Sequence, residues 1–246
     1  MRTTPANPLF CAIDTPDIGR AEALVGAVRD SAGGIKIGKE FFVAHGPDGV
    51  RRLTGVGPGS AGGFAEASGL PLFLDLKFHD IPNTVAGAVR SACALAPFML
   101  NVHATGGPAM LRAAAEAAAA SEARPLLIGV TVLTSLDDDD LAAVGIAGPV
   151  DERAVALARL SQQCGLDGVV CSAAEIEPIR QACGDDFKLV VPGIRPAGGD
   201  LADQKRVMTP AEALARGADY LVVGRPITGV DDPAAAARRI VEQMAA

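Results

Sequence analysis

Phe73-Leu74-Asp75-Leu76-Lys77-Phe78 has the make-up of a buried strand, yet it carries a carboxylate and an ammonium group. Alternate residues of a strand point to one face, so Asp75 and Lys77 are expected to project together. This run is one of eight of similar character: Leu9–Asp14, Ile35–Gly38, Leu72–Lys77, Met99–His103, Leu126–Leu133, Gly168–Cys171, Leu189–Gly193 and Tyr220–Gly224. They are nearly continuous in Val, Ile and Leu, the pattern of parallel strands covered on both faces. Ala-rich segments with helical spacing lie between them, among them Ala109–Ala120, Asp151–Cys164 and Pro233–Met244. Asp17 is placed to cap the first helix, and Gly165 to end the one that begins after Asp151. Regular alternation over 246 residues predicts an α/β fold, a single-domain (β/α)8 TIM barrel; a doubly wound open sheet is the alternative. No internal repeat or domain linker interrupts it. Thr54–Gly69, rich in Gly, Ala and Ser with Pro58 at its middle, predicts an enlarged, mobile loop with a short helix.

Composition narrows the function classes. The net charge is −7 and the pI near 5.0, which argues against nucleic-acid and membrane-surface partners. A few local cations can still hold an anionic small molecule. Apolar residues make up 49% of the chain, with no Trp and one Tyr, so an aliphatic core is expected. Cys11, Cys93, Cys164, Cys171 and Cys183 show no metal-ligand or paired spacing, which predicts reduced structural thiols. Met1–Pro8 is polar, unlike a secretion signal, and no apolar run reaches membrane-spanning length. A cytoplasmic enzyme or binding protein is expected. The three histidines do not cluster, so no metal site is expected.

In a barrel, the C-terminal ends of the strands form the active-site face. Asp75 and Lys77 lie at such an end, where two ionised groups are costly unless paired. A structural ion pair closing the barrel mouth would satisfy that condition alone. Lys36 in Ile35-Lys36-Ile37-Gly38 and Asp14 at the end of the first run add further charges to the same mouth. Asp80 adds a second carboxylate, or serves only as a helix N-cap ahead of Ile81-Pro82. Such convergence favours a catalytic network over a purely structural one. Barrels often bind phosphate in the loops after strands seven and eight, which here carry Arg195 and Gly224-Arg225. His103 reads as a hydrogen-bonded core histidine, and Asp137–Asp140 as a solvated helix start.

The segment Leu74-Asp75-Leu76-Lys77-Phe78-His79-Asp80-Ile81-Pro82-Asn83-Thr84-Val85 resembles the signature of the orotidine 5′-phosphate decarboxylase family. Lys36-Ile37-Gly38-Lys39-Glu40, Asn101-Val102-His103-Ala104, Thr131–Ser135, Pro192–Pro196 and Val223-Gly224-Arg225-Pro226 resemble it too, in order. The resemblance implies that Lys77 protonates C6 of the pyrimidine and that Asp75 sits beside the departing carboxylate. It implies an alternating charge array of Lys36, Asp75, Lys77 and Asp80. Asp80 and Thr84 would reach the neighbouring subunit's site in a homodimer. Asp14 and Lys36 would hold ribose hydroxyls, and Thr134 and Ser135 would meet the pyrimidine. Pro192, Arg195, Gln204, Gly224 and Arg225 would complete the substrate site, Gln204 in a lid over Gly198–Lys205. No cofactor is implied.

The chemistry fits such a set. Decarboxylation at C6 leaves an electron pair in the ring plane, which the ring cannot readily delocalise. A cationic lysine beside C6 favours that charge and then supplies a proton. Three other readings share some features: a metal-dependent sugar-phosphate decarboxylase or synthase, a Schiff-base aldolase, and a non-catalytic binder of phosphate ligands. Flanking carboxylates keep a lysine protonated, which speaks against the aldolase.

Overall fold

Among the described residues, eight parallel strands pair in chain order, and the eighth pairs with the first, closing a barrel. The strands are β1 (Leu9–Ile13), β2 (Gly34–Gly38), β3 (Leu72–Phe78), β4 (Met99–His103), β5 (Leu126–Val130), β6 (Gly168–Val170), β7 (Lys188–Pro192) and β8 (Tyr220–Val223). The computed structural model describes residues 5–55, 69–195 and 208–244. The helices are α1 (Ile18–Val28), α2 (Lys39–Thr54), α3 (Pro82–Cys93), α4 (Gly107–Ala119), α5 (Asp138–Ala143), α6 (Val150–Gln163), α7 (Ile176–Cys183), α8 (Pro210–Ala215), α9 (Arg225–Thr228) and α10 (Pro233–Met244). The open-sheet alternative is thereby excluded. Most of the expected Gly-rich loop lies outside the described residues; its first residue, Thr54, is the buried last residue of α2.

Local signals behave as their chemistry requires. The Asp17 carboxylate accepts from the Arg20 amide at 2.8 Å and caps α1. Gly165 follows α6 with φ of 85°, a conformation that favours glycine. Asp137 and Asp140 form a reciprocal capping box at the start of α5. The eight runs are strands, with small differences at their ends. The fifth stops at Val130 rather than Leu133, because Thr131 turns toward β6 and donates its hydroxyl to the Val170 carbonyl at 2.9 Å.

Strand alternation divides the core in two. Leu9, Cys11 and Ile13 of β1, with Ile35 and Ile37 of β2, face the helices. Phe10, Ala12, Phe73, Met99, Ile128, Val190 and Val222 fill the lumen. The lumen floor corrects the expectation of a purely aliphatic core. Phe10 packs edge-on against Phe73 and Tyr220, at centroid distances of 6.3 and 5.7 Å, and stacks on Phe98 at 6.0 Å. Few aromatic residues suffice because they are concentrated at one level. Gly34 makes room for them: a Cβ there would lie 2.3 Å from the Phe10 ring. All five cysteines are unpaired, and four are buried. Among the described residues, no helix is long and apolar enough to cross a membrane.

Phe10→Ala removes the centre of this floor. Its expected effect is a loss of about 3–5 kcal/mol of unfolding free energy. A lower urea midpoint at unchanged slope is the measurement that checks it.

Candidate active site

The lumen changes character toward the C-terminal ends of its strands. Above the aromatic floor, β2 to β4 present Lys36, Asp75, Lys77 and Asn101 in place of apolar side chains, and Asp14 follows directly on β1. The charges form a chain of alternating sign. Lys36 Nζ lies 3.2 Å from Asp14 Oδ1 and 3.1 Å from Asp75 Oδ2. Lys77 Nζ lies 2.5 Å from Asp75 Oδ1. Asn101 Nδ2 donates to that same oxygen at 2.7 Å. Lys36 and Asp75 are each only 8% exposed, so their pairing decides whether the fold tolerates them.

The pairing is strong enough to keep both groups ionised. Burial pushes the Asp75 carboxyl up, but Lys36 and Lys77, with the bonds from Lys77 and Asn101, outweigh it and hold it below its ordinary 3.8. Burial likewise opposes charge on Lys36, and Asp75 and Asp14 outweigh burial, so that Lys36 lies above its ordinary 10.5. Both oxygens of Asp75 are taken by these donors. Gly38 is part of the same construction: a Cβ there would fall 2.8 Å from Asp14 Oδ1 and 3.2 Å from Lys36 Nζ.

The backbone of β3 bends to make this site. Leu74 pairs with Leu100 and Phe78 with Val102, so Asp75, Leu76 and Lys77 stand opposite Asn101 alone. This bulge puts Lys77 at φ of 52°, a left-handed conformation rare for a residue with a Cβ. The Lys77 amide donates to Asn101 Oδ1 at 2.8 Å. In the sequence, Asn101 shows only as an amide inside the apolar run Met99–His103, which assigns it no role.

The remaining expected residues are spread around the mouth. Asp80 is exposed just after β3, and its carboxylate accepts from the Ile81 amide at 2.6 Å. The N-cap of α3 is Ile81, so Asp80 is not the cap considered for it. Thr84 is exposed in the first turn of α3. Thr134 and Ser135 lie exposed in the turn after β5. Pro192 ends β7, and Arg195 follows it, buried, with no hydrogen-bond partner for Nε among the described residues. Gly224 and Arg225 follow β8, with Arg225 opening α9. Gln204 lies outside the described residues. His103 ends β4, half-buried, with its ring 5.5 Å from that of His79. Burial, with the nearby His79, Lys39 and Lys77, pushes it down to about 4, so it is neutral at neutral pH. Among the described residues, no three His, Cys, Asp or Glu side chains group as ligands for a metal ion.

Comparison with known proteins identifies the family. Residues 7–240 match the family described as "Orotidine 5'-phosphate decarboxylase / HUMPS family". The orotidine 5′-phosphate decarboxylase of Rhodospirillum rubrum is 54% identical over 243 residues, covering 97% of this chain and 94% of that protein. The enzyme of the same name from Moorella thermoacetica is 50% identical, covering 99% and 94%. A crystal structure of orotidine 5′-phosphate decarboxylase from Lactobacillus acidophilus superposes with a TM-score of 0.81 at 34% identity, covering 98% of this chain and all of that one.

Asp75→Asn leaves Lys36 and Lys77 without their shared anion. The expected loss is about 3–5 kcal/mol at neutral pH. Its pH dependence is distinctive. In the wild type, the lowered Asp75 value gives stability that is present above 3.8 and lost as the pH falls through the folded value. In Asp75→Asn that acid limb disappears. Burial of Lys36, less opposed, moves its value down, so the variant gains stability as the pH rises. Denaturant unfolding across the pH range reads both limbs.

Proposed function

The chain belongs to the orotidine 5′-phosphate decarboxylase / HUMPS family, and from that premise we propose that Lys77 is the general acid of its reaction. That reaction is the decarboxylation of orotidine 5′-monophosphate to uridine 5′-monophosphate, the step that completes de novo synthesis of the first pyrimidine nucleotide, and the enzyme is a carbon–carbon lyase. The observation that carries the role of Lys77 is the Lys36–Asp75–Lys77 chain at the C-terminal end of the lumen. When the bond from C6 to the carboxylate carbon breaks, its electron pair stays on C6 and carbon dioxide leaves. The Lys77 ammonium stabilises that charge and transfers a proton to C6; solvent later restores the proton.

Asp75 stands beside the substrate carboxylate in this reading. Two like unit charges at 4 Å repel by about 4 kcal/mol at an effective dielectric near 20, and decarboxylation relieves that repulsion. Lys36 holds Asp75 in its ionised form and, with Asp14, binds the ribose hydroxyls. Thr134 and Ser135 contact the pyrimidine. Pro192, Arg195, Gly224 and Arg225 take the 5′-phosphate end, supported by their places at or just after the C-terminal ends of the adjacent strands β7 and β8. Gln204 is proposed as a further phosphate contact on resemblance alone. Phosphate binding aligns the reacting end of the substrate. The array supplies both the charge and the proton, so the reading needs no cofactor. A metal-dependent variant fits less well, because both oxygens of Asp75 already accept from Lys36, Lys77 and Asn101.

We also propose a homodimer in which Asp80 and Thr84 complete the partner's site. In its support, Asp80, Pro82, Asn83 and Thr84 are exposed, and Ile81 is 66% exposed, an apolar side chain that a second subunit would cover. Unpaired cysteines and a biosynthetic activity fit a cytoplasmic location.

Lys77→Ala is expected to abolish turnover almost completely, read as the absorbance change on adding orotidine 5′-monophosphate; robust activity in that variant would sink the assignment. Mixing inactive Lys77→Ala with inactive Asp80→Ala is expected to restore part of the activity through hybrid dimers. Failure to recover any activity, with mixed dimers shown to form, counts against the shared site.

A further inference from the structure

We infer that Asn101 is a positioning residue for this reaction, holding Lys77 in the bulged, left-handed backbone that aims its ammonium group at Asp75 and the reacting carbon. The inference rests on the reading of Lys77 as the acid. Asn101 is 1% exposed at the middle of β4, and both ends of its amide are engaged. Nδ2 donates to Asp75 Oδ1 at 2.7 Å, and Oδ1 accepts from the Lys77 backbone at 2.8 Å. The orientation of the amide follows from its partners, since a carboxylate only accepts and a backbone N–H only donates.

The bulge explains why such a residue is needed. In a regular parallel ladder, a strand amide bonds to a carbonyl of the next strand. Between the pairs Leu74–Leu100 and Phe78–Val102, β3 carries extra residues, and the ladder breaks. The Asn101 side chain stands in for the ladder at Lys77. It thereby retains a conformation that Lys77 would otherwise leave, because φ of 52° is disfavoured for a residue with a Cβ. One side chain thus ties the backbone of the proposed acid to the carboxylate that its own ammonium contacts. A buried asparagine that served the core alone would have no reason to join these two groups.

The charged surroundings define the test. Asn101 faces Asp75 and Lys77 across β3, with Lys36 beyond Asp75. Along β4 stands His103, with His79, Lys39, Lys77 and Asp75 near its ring. On the other side Asn101 pairs with the apolar Ile128. Asn101→Ala removes both bonds. Asn101→Asp keeps an acceptor for the Lys77 amide and places a second carboxyl against Asp75.

Kinetics, melting temperature and the concentration of folded sites are measured on the full-length enzyme for both variants, with Lys77→Ala alongside. Asn101→Ala is expected to lower kcat per folded site roughly 10- to 100-fold, as a misaligned reacting group does, with KM little changed. Asn101→Asp is expected to lose most activity at high pH and to recover as the pH falls. The introduced carboxyl, once protonated, can donate to Asp75 as the amide did; ionised, it repels it. Wild-type kcat per folded site in both variants, or losses that follow the folded fraction alone, would overturn the inference. If Asn101→Ala fails to fold, the pH profile of the near-isosteric Asn101→Asp decides: a constant ratio to wild type overturns it. Full activity in Lys77→Ala overturns the assignment of Lys77, and this inference with it. An inactive Lys77→Ala beside unaffected Asn101 variants removes the inference and leaves that assignment standing.

Discussion

Asp75 is a buried carboxylate shared by two lysines, and the upper half of the barrel is arranged around it. A carboxylate 8% exposed is tolerable only when its oxygens are fully engaged. Here Oδ2 accepts from Lys36, while Oδ1 accepts from Lys77 and Asn101. Each donor comes from a strand next to Asp75 or from its own strand. Lys36 is also buried and takes Asp14 as its second anion. Remove Asp75, and two cations lose their common partner. The site is therefore a single electrostatic unit rather than a set of independent contacts.

The barrel gives this unit its setting. An apolar floor of Phe10, Phe73, Phe98 and Tyr220 fills the opposite end of the lumen. That packing fixes the strands that carry the charges, so the ion pairs need not stabilise the fold unaided. Ion pairs of this kind are often no more stabilising than well-packed apolar residues of similar size. A chain that places Lys36 and Asp75 inside strands otherwise made of Val, Ile and Leu is therefore organised for chemistry. The left-handed Lys77 adds to that argument, since backbone strain collects at sites of function.

Much of this was legible in the sequence. Periodicity revealed eight buried strands, because parallel strands covered on both faces must be apolar throughout. Asp75, Lys77 and Lys36 stood out for the same reason, as charges in runs that should hold none. Asn101 carried a weaker signal, because one neutral amide in a strand is compatible with many structural roles. Only the bulge at β3 gives it meaning, and a bulge depends on how two distant strands register. The aromatic floor was hidden for a similar reason: composition counts Phe10, Phe73 and Phe98 but says nothing of their meeting at one level. Asp80 illustrates a different limit. Only the resemblance joined it to the array, and there as a residue reaching a neighbouring subunit; in the structure its carboxylate bonds to the adjacent Ile81 amide.

The sign of the proposed chemistry follows from charge bookkeeping within the unit. Lys36 and Asp75, the two buried members, cancel each other in charge, and Asp14 and Lys77 flank them nearer to solvent. The substrate carboxylate brings one negative charge and, in the proposed pose, sets it against Asp75. Decarboxylation does not change the total; it moves that charge from the carboxylate to C6. The displacement runs away from Asp75 and toward the Lys77 ammonium, along the direction set by the fixed pair. Fixed dipoles oriented along a charge displacement favour the transition state over the ground state without reorganising. Rigidity is then as important as charge. A Lys77 free to swing would follow the substrate carboxylate instead and favour the ground state. The bulge, the left-handed backbone and the bond from the Lys77 amide to Asn101 all act against that motion.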